Sequence, residues 1–206
     1  MRQWILSLAA LALIASPALA GKYNKVVSVG DKAPAIEGVP AVTGDQKETT
    51  LNLNDVKEDV VVVVFLANHC PVVKGIEDRL VETVSSFKGK SVKFIGVCCS
   101  GAPGYEEQDG IPAIKAAIKD GKYNLTYAYD ESGKIGKAFG AKVTPEVFVL
   151  DKTRTIRYQG AFDDNSRDES KVAKKYVKTA VDALLANETI EESETQARGC
   201  GVAYKR

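Results

Sequence analysis

Four thiols and one imidazole are the side chains of this chain best suited to covalent chemistry: Cys70, Cys98, Cys99, Cys200 and His69. Cys70 lies in Asn68-His69-Cys70-Pro71, just after the apolar run Val60–Leu66. Apolar residues then recur at helical spacing, at Ile76, Leu80, Val84 and Phe87, which predicts a helix over 74–87. The thiol therefore falls at a strand-to-helix turn. Unpaired N–H groups and the positive end of a helix dipole favour the thiolate there, and the thiolate is the reactive form. Pro71 suits the first helical turn, where a missing N–H costs nothing. His69, the single histidine, reads equally well as a proton carrier for this sulfur or as a solvent-facing turn residue.

The remaining thiols admit several readings. Cys98 and Cys99 end a second apolar run, Ser91–Cys98, and strand alternation sends them to opposite faces. One of them could face Cys70, and both fit as small core residues. Cys200 lies between Gly199 and Gly201 in a polar tail. Mobility there suits a thiol that resolves intermediates formed at Cys70, and closing so long a loop costs entropy that grows only slowly with length. A bridge from Cys200 to Cys98 or Cys99, or between two chains, stays equally open. His69, Cys70, Cys98 and Cys99 could instead converge as soft ligands for copper or zinc. Their spacing matches no zinc knuckle, so neither a metal nor an organic cofactor is assigned.

These residues need a scaffold, and the order of elements predicts one. A β hairpin or irregular β segment is expected within 30–53. It is followed by the Val60–Leu66 strand, the 74–87 helix, the Ser91–Cys98 strand and a break at Gly101-Ala-Pro-Gly104. Helical spacing over 111–119, a short strand over 125–129 and a short helix over 135–139 come next. Strands at Glu146–Leu150 and Thr155–Gln159 joined at Asp151-Lys152, then a helix over 168–185, complete the pattern. Asp163-Asp164-Asn165, or Ser166 and Asp168, read as capping for that helix rather than as a calcium loop. Strands alternating with helices imply an α/β layered domain, with the first two long strands adjacent and parallel. Chemistry in such sheets sits beyond the carboxyl ends of the strands, where Cys70, Cys98 and Cys99 fall.

The chain has 206 residues with a formal net charge of +1, and its charges are interspersed, which argues against nucleic acid or an anionic membrane as partner. Residues 1–20 read as a secretory signal peptide: Arg2, an apolar stretch from Trp4 to Ile14, and Ala18 and Ala20 at −3 and −1 of a cut. The exported form would be periplasmic or secreted, with a net charge of zero once Arg2 leaves (+1 − 1). Residues 21–186 form the expected domain, and 187–206 a loose tail carrying Cys200. Export permits disulfides, but a domain of this size does not need them to fold, so a redox role is at least as well supported as a structural one.

Several motifs resemble the thioredoxin superfamily, in its peroxiredoxin-like or redoxin branch. They are Gly30-Asp-Lys-Ala-Pro34, His69-Cys70-Pro71, Val143-Thr144-Pro145-Glu146, Tyr158-Gln-Gly160, Asp163-Asp164-Asn165 and Gly199-Cys200-Gly201. The resemblance implies a central mixed sheet flanked by helices with an N-terminal β extension, and a cis Thr144–Pro145 bond facing Cys70. With the leader read above, it implies an exported protein whose activity is that of a thiol oxidoreductase acting on a thiol or disulfide protein, a small thiol or a peroxide. It also implies that the Thr144–Pro145 loop aligns the incoming group. A non-catalytic binding module on the same fold is the alternative. Departures from the pattern narrow this. Val73 stands where thioredoxins carry a second cysteine, so Cys70 lacks a local resolving partner. Val63 and Ala67 replace the proline and threonine that precede a peroxidatic cysteine, which argues against strong peroxidase activity. Val64 replaces the buried acid of thioredoxins.

Overall fold

The computed structural model describes residues 21–100 and 104–204, so the leader expected at 1–20 and residues 101–103 of the predicted break lie outside the described residues. Among the described residues, fifteen helices and strands are laid out around one seven-stranded sheet. In chain order they are β1 (Val39–Val42), β2 (Glu48–Leu51), β3 (Val60–Leu66), α1 (Pro71–Lys74) and α2 (Glu77–Ser86). Next come β4 (Val92–Cys98), α3 (Glu106–Asp109), α4 (Ile111–Lys119), β5 (Thr126–Tyr129) and α5 (Lys134–Phe139). The last are β6 (Val143–Thr144), β7 (Glu146–Leu150), β8 (Ile156–Gly160), α6 (Tyr176–Leu185) and β9 (Cys200–Gly201).

Strand order is β2-β1-β5-β4-β3-β7-β8, with β3, β4 and β5 parallel and the remaining pairs antiparallel. The mixed sheet and its N-terminal hairpin extension are the architecture expected. β3 lies at the centre, and every one of its residues is buried. Val60, Val62, Val64 and Leu66 pack with α2, α4 and α6 on one face. Val61, Val63 and Phe65 pack with Phe139, Phe148 and Ala141 on the other. β-Branched side chains suit this pleated, two-sided burial, and each contributes about 1.5–3 kcal/mol relative to exposure. The strand that delivers Cys70 is therefore a rigid base.

Three expectations are corrected. The helix predicted over 74–87 is two pieces, α1 and α2, broken at Gly75-Ile76. A Cβ on Gly75 would meet the Ser166 carbonyl at 2.7 Å, so the position is kept bare for a loop crossing over it, and glycine is a poor helix residue. The helix predicted over 168–185 begins only at Tyr176. Asp168 caps a short 3-10 turn, Glu169–Lys171. Asp164 then accepts from the Ala173 N–H at 3.0 Å and donates its own N–H to the Lys174 carbonyl, holding the segment extended. Asp163-Asp164-Asn165 thus orders the approach to the helix rather than capping it, while Asp163 pairs with Arg79 at 2.9 Å inside the protein.

The third correction is the tail, which is packed rather than loose. Thr195 donates its N–H to the Gln159 carbonyl, and its hydroxyl lies 2.6 Å from the Tyr158 hydroxyl. The Glu194 carboxylate accepts from the N–H groups of Lys22 and Tyr23 at 2.9 and 2.8 Å, tying the N-terminal lead to the tail. Backbone accommodation is tight here: a Cβ on Gly160, at φ +139°, would collide with the Thr195 backbone. Among the described residues, no helix is long and apolar enough to cross a membrane.

Candidate active site at the end of the central strand

β3 ends at Leu66 and the chain turns immediately, with the Cys70 N–H bonded to the Ala67 carbonyl at 3.0 Å. Cys70 is the N-cap of α1, with Pro71 at its first position and no side-chain oxygen capping the turn. That leaves the first-turn N–H groups beside the sulfur without a side-chain partner. The expected strand-to-helix placement holds. The dipole behind it is that of a single turn, because Gly75 interrupts the helix.

Cys70 and Cys200 form a disulfide, with Cα atoms 6.1 Å apart across 130 residues of sequence. This selects one of the pairings open in the sequence and removes the bridge to Cys98 or Cys99. β9 brings the second sulfur in. It pairs antiparallel with β6, with Thr144 opposite Cys200 and Val143 opposite Gly201. The Thr144–Pro145 bond is cis, and the Thr144 carbonyl oxygen lies 3.2 Å from Cys70 Sγ. The loop that the resemblance places against the reactive sulfur is there, and the chain's own tail covers it. Cys70 is fully buried in this state, so the sulfur is not reachable while the tail is seated.

Glu146 explains how that loop is held. It is buried, and its carboxylate accepts from the N–H groups of Lys142 at 2.8 Å and Val143 at 3.4 Å. Burial pushes its carboxyl up from the usual range, while those two N–H donors pull the other way. An acidic residue in an apolar strand carried a sequence signal, since such a residue must find donors.

His69 is turned toward Asp109, with Nδ1 2.6 Å from Oδ2, and its ring stacks on Tyr105 with centroids 4.1 Å apart. The other Asp109 oxygen accepts from the Asn68 N–H at 2.8 Å. Asp109 is buried and fixes both residues that precede Cys70. Neither Asp109 nor Tyr105 was identifiable in the sequence, because their pairing depends on how α3 folds over the turn.

Cys98 and Cys99 are free, buried and on opposite sides of the sheet. Cys98 shares the core cluster of Cys70. Burial pushes both thiols up, that of Cys99 to about 12, with Asp109 acting in the same direction at Cys98 and Asp130 at Cys99. Held protonated by burial, these thiols are poor nucleophiles at neutral pH. Among the described residues no group of three or more His, Cys, Asp or Glu side chains is arranged to hold a metal. Tyr204 closes the Cys99 side. Its ring lies over Gly133 and Gly136, where a Cβ would meet it at 2.7 and 2.8 Å, and its hydroxyl donates to the Ala141 carbonyl.

A mixed sheet of this order, with a cysteine after the central strand facing a cis-proline loop, defines a thioredoxin-like fold. The chain belongs to the AhpC/TSA family, whose model matches residues 29–159. No curated protein matches it. Among solved structures it is similar to a hypothetical protein from Sinorhizobium meliloti 1021, at 23% identity and TM-score 0.77, covering 88% of this chain and 97% of that one. It is also similar to an uncharacterized conserved protein from Geobacillus kaustophilus, at 27% identity and TM-score 0.76, covering 86% and 93%. Mycobacterium bovis AhpC shares the fold at 16% identity and TM-score 0.59, covering 81% and 97%. Family membership and the Cys70–Cys200 disulfide together support a thiol-based redox function. Cys200 and the tail that carries it lie beyond the family match.

Proposed function

We propose that the protein is an exported thiol–disulfide oxidoreductase in which Cys70 is the nucleophile and Cys200 the resolving thiol. The observation that carries this reading is the disulfide itself, closed over the cis-proline loop by a dedicated two-residue strand. In the reduced chain, the Cys70 thiolate attacks a substrate disulfide. One substrate sulfur leaves as a thiolate and the other remains in a mixed disulfide with Cys70. Cys200 gives up its proton and attacks Cys70 Sγ. The second substrate thiolate departs and the internal disulfide forms, so two electrons have passed from the protein to the substrate. An external dithiol returns the pair to the reduced state.

With a peroxide, the same thiolate would take one oxygen to give a sulfenic acid, releasing an alcohol or water. Cys200 would then condense with it, releasing water. Two features favour disulfide over peroxide. Ala67 brings no hydroxyl to the turn. The Arg79 guanidinium, on the helix that follows, is committed to Asp163 and to the carbonyls of Gly75 and Asn165. In this reading His69, held by Asp109, is the proton carrier beside the turn.

The test is thiol counting and disulfide mapping on the mature protein. Graded oxidised glutathione or hydrogen peroxide should remove two thiols and leave Cys98 and Cys99 free. Cys70→Ser should lose none at low oxidant, and Cys200→Ser should accumulate a mixed disulfide or sulfenic acid at Cys70. Unchanged thiol counts in the parent chain would end the reading. Export is tested by the mass of the protein from the periplasm or medium, which should begin at Gly21.

A further inference from the structure

The tail is held in two unequal parts. Glu194 and Thr195 anchor it to β8 and to the N-terminal lead. Beyond them, Gln196, Arg198 and Gly199 are exposed. The reach to the site then rests on the two-residue β6–β9 pairing, the Val202 N–H to the Lys142 carbonyl at 2.9 Å, and Tyr204. Once the disulfide opens, the β6 edge itself is covered by this two-residue pairing, the Val202 hydrogen bond and the packing of Tyr204, and a two-residue ladder is weak on its own.

The fit of β9 is uneven along its length. A Cβ on Gly199 would fall on the Thr144 carbonyl, 2.6 Å from its carbon and 3.2 Å from Pro145 N. Every atom met is backbone of the cis loop, and Glu146 holds that loop from below, so no side-chain rotation relieves the clash. Gly201, on the other side of the cysteine, would meet nothing within 4 Å. The edge therefore excludes a side chain before the cysteine and admits one after it.

Resting on the thiol-exchange reading above, we infer that the β6 edge, vacated on reduction, takes an extended segment of a partner protein whose cysteine is preceded by glycine. Residues 199–202 are the chain's own occupant of that groove. The partner strand pairs antiparallel with Val143-Thr144, its cysteine opposite Thr144 and in line with Cys70. The residue after its cysteine is unrestricted. Displacement by the tail then couples release of the partner to formation of the internal disulfide, because one edge cannot seat both strands.

The experiment uses the full chain with Cys200→Ser and a peptide copying Ala197–Val202 whose cysteine carries a thionitrobenzoate leaving group. Cys70 attacks the peptide sulfur, forming the Cys70–peptide disulfide and releasing coloured thionitrobenzoate, and Cys70→Ser gives the background. Replacing the glycine before the peptide cysteine by alanine should slow release about tenfold or more, as expected from losing ladder hydrogen bonds. Replacing the glycine after it should change the rate less than about twofold. Adding Gly199→Ala to the Cys200→Ser chain should change the parent peptide's rate less than about twofold, because the tail has already left the edge once the disulfide is open. Equal rates for the two alanine peptides would overturn the inference and leave the oxidoreductase reading standing. No release from any peptide, with Cys70 still oxidised by hydrogen peroxide, would overturn both the inference and the thiol-exchange reading.

Discussion

Replacing Gly199 by alanine perturbs the oxidised state at a single point. The added methyl falls on the Thr144 carbonyl, so β9 must lift away from β6 while the disulfide still holds Cys200 at Cys70. The Val202–Lys142 hydrogen bond and the Thr144–Cys200 ladder are lost together. At about 1 kcal/mol net for each backbone hydrogen bond, the disulfide form loses about 2–3 kcal/mol. The reduced tail is free to leave, so the loss falls on the oxidised side. For a two-electron couple ~1.4 kcal/mol corresponds to ~30 mV, so the reduction potential should rise by about 40–65 mV. Equilibration in graded dithiothreitol or glutathione buffers, followed by acid quench and mass analysis of the alkylated protein, reads this shift. A potential that moves by less than about 10 mV would mean that the pairing contributes nothing to the disulfide, or that the reduced tail is seated equally firmly. Either result refutes the argument.

Further outcomes follow from the same geometry. The Cys99 thiol is raised from 9.0 to about 12. Native and unfolded chains hold its proton alike below pH 9. Above that the unfolded chain ionises first, so stability falls as pH rises toward 12, by about 1.4 kcal/mol per pH unit from this group. Urea midpoints of Cys99→Ala should therefore fall less steeply between pH 9 and 11 than those of the parent, and parallel curves would contradict the assignment. Tyr204→Ala opens the cover over Cys99 and should speed its alkylation in the oxidised protein by about tenfold or more, read by mass mapping. Arg79→Met strands the buried Asp163 carboxylate and should cost about 3–5 kcal/mol in denaturant unfolding. Asp109→Asn and His69→Ala should each slow formation of the internal disulfide and change its pH profile, and the double variant should be no slower than His69→Ala alone; additive losses would show that Asp109 does not act through His69.

The sequence by itself determined the layered α/β architecture. The reason is local: a run of β-branched residues with no polar interruption can only be a strand covered on both faces, and the spacing of apolar residues around it sets the flanking helices. It also determined that Cys70 follows such a strand, while the placing of Thr144-Pro145 opposite it came only from the resemblance to a known family. Helix ends were misjudged where one side chain or one bare backbone position overrode periodicity, at Gly75 and at Asp164. Composition read the tail as loose, because polar residues do not reveal the partners that Thr195, Glu194 and Tyr204 find on β8, the N-terminal lead and α5. Only the tertiary structure decided which thiol meets Cys70. Strand alternation separates Cys98 from Cys99 but cannot bring a residue 130 positions away to the site. That took an open edge on β6, a glycine able to pass the Thr144 carbonyl, and an anchor at Thr195 holding the last turn of chain within reach.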